Sequence, residues 1–217
     1  MGIVRVWAKD EPFGAELVDV TLRGTTLTAS GLAIGTEPAP YRLEYQLVTA
    51  ERYVTRRLAV ETAGSGWRRA LVLERAASGV WTCTGHSEGD LDRPEPGGDP
   101  ALLAGTLDCD LGLSPLTNSM PVLRHRLYES GGPMDFLMAW VAVPELGVCP
   151  SQQRYTFVRR EPRGANRPPS VSRHRLHRGH RVRPTGHCSR LSGHCPASGM
   201  TADPRTVRSA LRRVESE

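Results

Sequence analysis

The stretch Tyr41-Arg42-Leu43-Glu44-Tyr45-Gln46-Leu47 alternates without a break between apolar and polar side chains. Successive side chains of a strand point to opposite faces, so a period of two describes a strand with one dry and one wet face. Such a strand needs neighbours to cover the side that carries Tyr41, Leu43, Tyr45 and Leu47. The flanking sequence supplies them. Glu16 to Leu22 is β-branched and ends at Arg23-Gly24, and Thr26 to Ser30 repeats the pattern before Gly31. Further extended runs follow at Tyr53 to Val60, Arg68 to Leu73 and Val80 to Gly85. Glu37-Pro38-Ala39-Pro40 and Ala77-Ser78-Gly79 interrupt them with residues that turn a chain. Many short strands, close turns and few segments of helical period predict a mainly β, single-domain fold.

A second alternation begins at Leu107. Leu107, Cys109 and Leu111 fall on one side, Asp108 and Asp110 on the other. Gly112, Ser114-Pro115 and Thr117-Asn118 then turn the chain, and Val122 to Tyr128 reads as a resumed extended run. On this pattern Asp108 and Asp110 are solvated charges on an outward face; the alternative is an acid–base or metal-binding pair. Thr117 and Asn118 suit bonds to their own turn before bonds to a ligand. Phe136 to Val143 is apolar on both faces, as in a central strand or one set against a helix or a ligand cavity. Ser87 to Asp99, rich in Asp, Glu, Pro and Gly, reads as an exposed loop, either a lid or an insertion. In Arg56-Arg57 and Arg68-Arg69 one member of each pair faces inward, where it needs an acidic partner such as Asp108 or Glu44, or an anionic headgroup.

Charge divides the chain in two. Residues 1–158 hold 14 basic and 19 acidic side chains, whereas 159–217 hold 14 basic and 4 acidic ones, with five of the seven histidines. Apolar residues nearly vanish after Glu161 until Val207. Such a segment cannot bury enough surface to offset its ordering entropy, so the boundaries expected are a β domain over 1–160 and a disordered Arg/His/Pro-rich tail over 161–217. The tail admits a nucleic-acid arm if it is genuine, and a zinc site at His187-Cys188 and His194-Cys195 only at a spacing wider than known structural sites use. The odd count of five cysteines, and a stretch from Met1 to Lys9 without the apolar core of an export signal, lead us to expect reduced thiols and a cytoplasmic location. No stretch is long and apolar enough for a membrane span.

Asp108-Cys109-Asp110-Leu111 followed by Ser114-Pro115-Leu116-Thr117-Asn118-Ser119-Met120-Pro121 resembles the signature of the putative glycolipid-binding family of bacterial proteins. The resemblance continues through Tyr41 to Tyr45, Val54 to Leu58, Gly66 to Arg69, Ala142 to Leu146 and Gln152 to Tyr155, and so covers about residues 7–158. It implies a spiral β-roll, an antiparallel sheet curled around one helix that periodicity does not locate. It also implies a final Tyr-Pro-Gly strand that this chain lacks. Suitable codons for Leu191 to His194, read one base on, give Tyr-Pro-Gly-Ile, and Arg175 to Arg178 treated likewise give Gly-Phe-Thr-Ala. A frameshift is therefore the expected origin of the tail.

The function implied is non-catalytic binding of a glycolipid or similar amphipathic molecule in the concavity of the sheet, with a homodimer as a further partner. Ligand contacts are expected from Arg57, Asp108, Asp110, Thr117, Asn118, Phe136 and Trp140. No catalytic residue, metal or cofactor is expected, since nothing resembles a nucleophile elbow or a phosphate-cradling loop. The alternatives are an enzyme that uses Asp108 or Asp110 as acid or base, and a dimerisation module without a ligand.

Overall fold

In the computed structural model, which describes residues 2–9, 11–89, 92–129, 132–159 and 170–175, the first seven strands form one antiparallel meander. They are β1 (Gly2–Lys9), β2 (Gly14–Arg23), β3 (Thr26–Gly35), β4 (Tyr41–Thr49), β5 (Thr55–Gly64), β6 (Trp67–Arg75) and β7 (Trp81–Gly89). Two-residue turns at Gly24-Thr25 and Ser65-Gly66 keep neighbours in register, and Gly24 and Gly66 supply the positive φ these turns require. In β4 the alternation read from sequence is realised, with Tyr41, Leu43, Tyr45 and Leu47 buried and Arg42, Glu44 and Gln46 exposed.

The inner face solves a packing problem with glycine. Gly31 stands opposite Tyr45, Gly35 opposite Tyr41 and Gly64 opposite Trp67. A Cβ at Gly31 would lie 2.1 Å from the Tyr45 ring, and one at Gly64 would lie 2.4 Å from Trp67. Each ring therefore lies flat across its neighbour's bare backbone, which lets a bulky aromatic occupy a tightly curled sheet.

A second sheet has the order β11-β10-β9-β8, with β8 (Asp108–Leu111), β9 (Met134–Val141), β10 (Val148–Arg159) and β11 (Ser170–Arg175). Phe136 to Val141 thus lies on a central strand. Strands β8 and β9 run parallel, unlike every other pair of described strands, so the chain between them must cross back. That crossover carries the one described α-helix, α1 (Ser119–Arg124). The expected extended run from Val122 is therefore corrected: Val122, Leu123 and Arg124 are helical. Pro121 lies in the first turn, where its missing N–H costs no helical bond, and six residues are too few to show a period.

The helix is wrapped by sheet, as the implied roll requires. Leu116 and Met120 join the large core with Val18, Leu47, Leu58, Leu73 and Trp81, while Val122 packs with Leu127 and Tyr155. Backbone bonds fasten the second sheet to the rest: Thr55 N–H of β5 donates to Leu107 O, just before β8, at 3.1 Å, and Val148 N–H of β10 donates to Gly97 O, in the segment after β7, at 2.8 Å.

Three further expectations change. Ser87 to Gly89 belong to β7, and the segment after it is pinned down. The buried Arg69 guanidinium donates to the carbonyls of Arg93, Pro94 and Glu145, so backbone groups as well as side chains serve an inward-facing Arg here. Ser170–Arg175, assigned by composition to the tail, pairs with Gln153–Arg159, because backbone bonding to the β10 edge is indifferent to an Arg-rich sequence. The rest of the expected tail, with its zinc and nucleic-acid candidates, lies outside the described residues. Cys83 and Cys109 are free thiols.

Candidate functional site

The turn after β8 is the polar centre of the molecule. Asp108 and Asp110 are 2% and 1% exposed, which corrects their reading as solvated charges. Strand β8 is buried on both faces because the helix segment and the larger sheet close over it. Each carboxylate has partners remote in sequence. Asp108 forms an ion pair with Arg124 of α1 through Nη2 and Oδ2. Burial raises the Asp108 pKa to about 6, opposed by the Arg124 charge. Asp110 Oδ2 accepts the Gln153 side-chain amide at 2.6 Å, and Oδ1 lies 3.2 Å from the Thr117 hydroxyl.

From there the network runs both ways. The Thr117 oxygen accepts the Leu111 N–H at 3.1 Å and also lies 3.2 Å from the Ser114 carbonyl. The Ser114 hydroxyl donates to Glu16 Oε1 at 2.7 Å, and the Tyr45 hydroxyl donates to the same oxygen at 2.6 Å. On the other side the Tyr155 hydroxyl stands 3.0 Å from Gln153 Oε1 and 3.1 Å from Asn118 Oδ1. A continuous polar spine therefore links Tyr45 of the large sheet to Tyr155 of the small one through the signature turn. Burial pushes the Glu16 carboxyl up to about 7 despite the bonds from Tyr45 and Ser114. Buried Cys109 is pushed up to about 12; its N–H donates to Thr55 Oγ1 at 2.9 Å. Such a thiol is a packed hydrophobe and not a nucleophile.

The seven sequence-derived candidates do not converge on one open site. Asp108, Asp110, Thr117 and Asn118 are buried in the spine or its ion pair. Phe136 packs edge-on against Tyr155 at 5.4 Å and lies 5.2 Å from the His125 ring. Trp140 is half-buried on β9. Arg57 lies on the outer face of the large sheet, paired with Glu74 at 3.2 Å. Glu16, Ser114, Arg124 and Gln153 were missed. Glu16 and Gln153 carried a signal: each is polar at a position in phase with buried residues, beside Val18 and Tyr155.

The spine braces the wall of a cleft. Between the inner face of β1–β3 and the helix segment, Ile3, Val20, Leu22, Leu27, Leu116 and Leu123 line a narrow, half-open crevice, with Arg5 and Ser119 as its polar members. Asp110, Thr117 and Asn118 fix the segment that presents Leu116, Ser119 and Leu123. Among the described residues no cluster of His, Cys, Asp or Glu is arranged to hold a metal, and no helix is long and apolar enough to cross a membrane.

A crystal structure of a DUF1089 family protein from Pseudomonas aeruginosa matches with a TM-score of 0.53 at 20% identity, over 74% of this chain and 77% of that one, a likeness of fold. No curated protein matches in sequence. The family model, which passes the limit near residue 158 set by the motifs and takes in β11, matches residues 4–176, so the chain belongs to the family described as putative glycolipid-binding.

Proposed function

We propose that the protein is a non-catalytic binder of an amphipathic, glycolipid-like molecule, held at the cleft between β1–β3 and α1. The observation that carries this reading is the lining: six aliphatic side chains with one guanidinium and one hydroxyl among them. Few polar groups in an apolar hollow are what fixes the orientation of a chain-bearing ligand. The aliphatic wall takes the acyl portion, and Arg5 and Ser119 meet sugar hydroxyls or a phosphate at the mouth. The description of the family supports the same class of ligand. Asp110, Thr117 and Asn118 act from behind, as the brace that holds the helix segment at a fixed distance from the sheet. Partly buried Phe136 packs on the Tyr155 cluster, Trp140 is half-buried on β9, and Arg57 belongs to the outer surface.

The test is native mass spectrometry of delipidated protein offered a glycolipid, with and without Leu22→Trp, which fills the cleft from a half-buried position. Uptake by the parent and its loss in a variant that still melts cooperatively support the reading. Equal uptake by both contradicts it.

A further inference from the structure

The outer face of the large sheet has two unlike halves. Over β4–β6 it is charged, with Arg42 and Glu44 exposed and the ion pairs Arg57–Glu74 and Arg68–Glu61 spanning neighbouring strands. Over β1–β3 it is apolar. Val6, Leu17 and Leu32 stand in direct cross-strand register, so their side chains form one row on one face. Ile34 and Val4 extend the row to either side, and exposed Phe13 lies in the turn between β1 and β2. These six residues are between 44% and 67% exposed. Single apolar residues on a surface mean nothing, but a contiguous patch of a few hundred Å2 marks an interaction site.

We propose that this face of β1–β3 is the contact surface of a homodimer, packed against the same face of a second copy across a two-fold axis. Two arguments select a second copy. One is size: six large apolar side chains, each about half exposed, are duplicated across the axis, and a stable interface needs roughly 1,000 Å2 in all. The other is the rim. Exposed Asp19 and Glu44 border the patch along with Arg42, so its immediate rim carries more acid than base and does not favour an anionic lipid surface. A rim with both signs of charge suits a symmetric contact, in which Arg42 of one copy approaches acidic residues of the other. Facing sheets pack their rows about 10 Å apart, the spacing that branched side chains such as Val6, Leu17 and Leu32 fill. The surface lies on the opposite side of the sheet from the cleft, so dimer formation leaves ligand entry open.

Sedimentation equilibrium on the full chain tests this, with Leu17→Glu, Leu32→Lys and the control Leu102→Glu, exposed elsewhere. The parent and the control should be dimers at about 100 µM, and each face variant should weaken association at least about 100-fold, because one substitution enters the interface twice. Unchanged melting of the variants shows that the fold is intact. A monomeric parent, or dimers that persist in both face variants, overturns the proposal. So does a monomer that binds phosphatidylcholine vesicles and loses that binding with Leu17→Glu, which would assign the face to lipid.

Discussion

Ser114 and Glu16, 98 positions apart, share a buried hydrogen bond of 2.7 Å that fastens the signature turn to the inner face of β2. The bond explains why a polar sequence occupies the middle of an apolar roll. Strands β8 and β9 are parallel, the crossover between them must pass through the interior, and its backbone and hydroxyls need fixed partners there.

Glu16 makes stability depend on pH in a direction unusual for a carboxylate. Its folded pKa is raised from 4.5 to about 7, so between these values the folded state holds a proton that the unfolded chain has released. Its stabilisation is full below about 4.5 and is lost as pH rises to about 7. Asp108, raised from 3.8 to about 6, acts in the same sense over a lower window. The melting temperature should therefore fall from pH 5 to pH 7.5, by the equivalent of a few kcal/mol. Glu16→Gln keeps the acceptor for Tyr45 and Ser114 and should flatten most of that slope. An unchanged slope in the variant would remove Glu16 from the account.

Gln153→Leu should cost about 2–4 kcal/mol, since it leaves Asp110 Oδ2 buried without its amide donor. Asp110→Asn in the same chain should cost less than the sum of the two single changes. Chemical denaturation of the four members of that cycle measures the coupling, and strict additivity would mean that the two side chains do not act as a pair.

Gly31→Ala should destabilise by about 2 kcal/mol or more, because the new methyl meets the Tyr45 ring at 2.1 Å and that ring is held by its bond to Glu16. Combined with Tyr45→Leu, the alanine should cost much less. Equal penalties in both backgrounds would show that the ring is not what the glycine accommodates.

The sheet was legible wherever one face is dry and the other wet. From Tyr41 to Leu47, for instance, local alternation reports burial directly. It failed at Asp108 and Asp110, where the same alternation has both faces buried and the partners Arg124 and Gln153 lie 16 and 43 positions away. The helix was illegible for a different reason: Ser119 to Arg124 is shorter than two turns, and its conformation is imposed by the crossover and not by propensity. The signature residues fall in the buried polar spine and not on an open surface. The lining residues Ile3, Leu22 and Leu27 look like any other strand positions until the sheet curls over the helix.

Methyl-resolved NMR titration with a short-chain glycolipid tests the binding claim most directly. The account predicts shifts at Ile3, Val20, Leu22, Leu27, Leu116 and Leu123, with Leu102 unmoved. Saturating shifts confined to the outer-face residues Val4, Val6, Leu17 and Leu32, or no shifts at all, would contradict it.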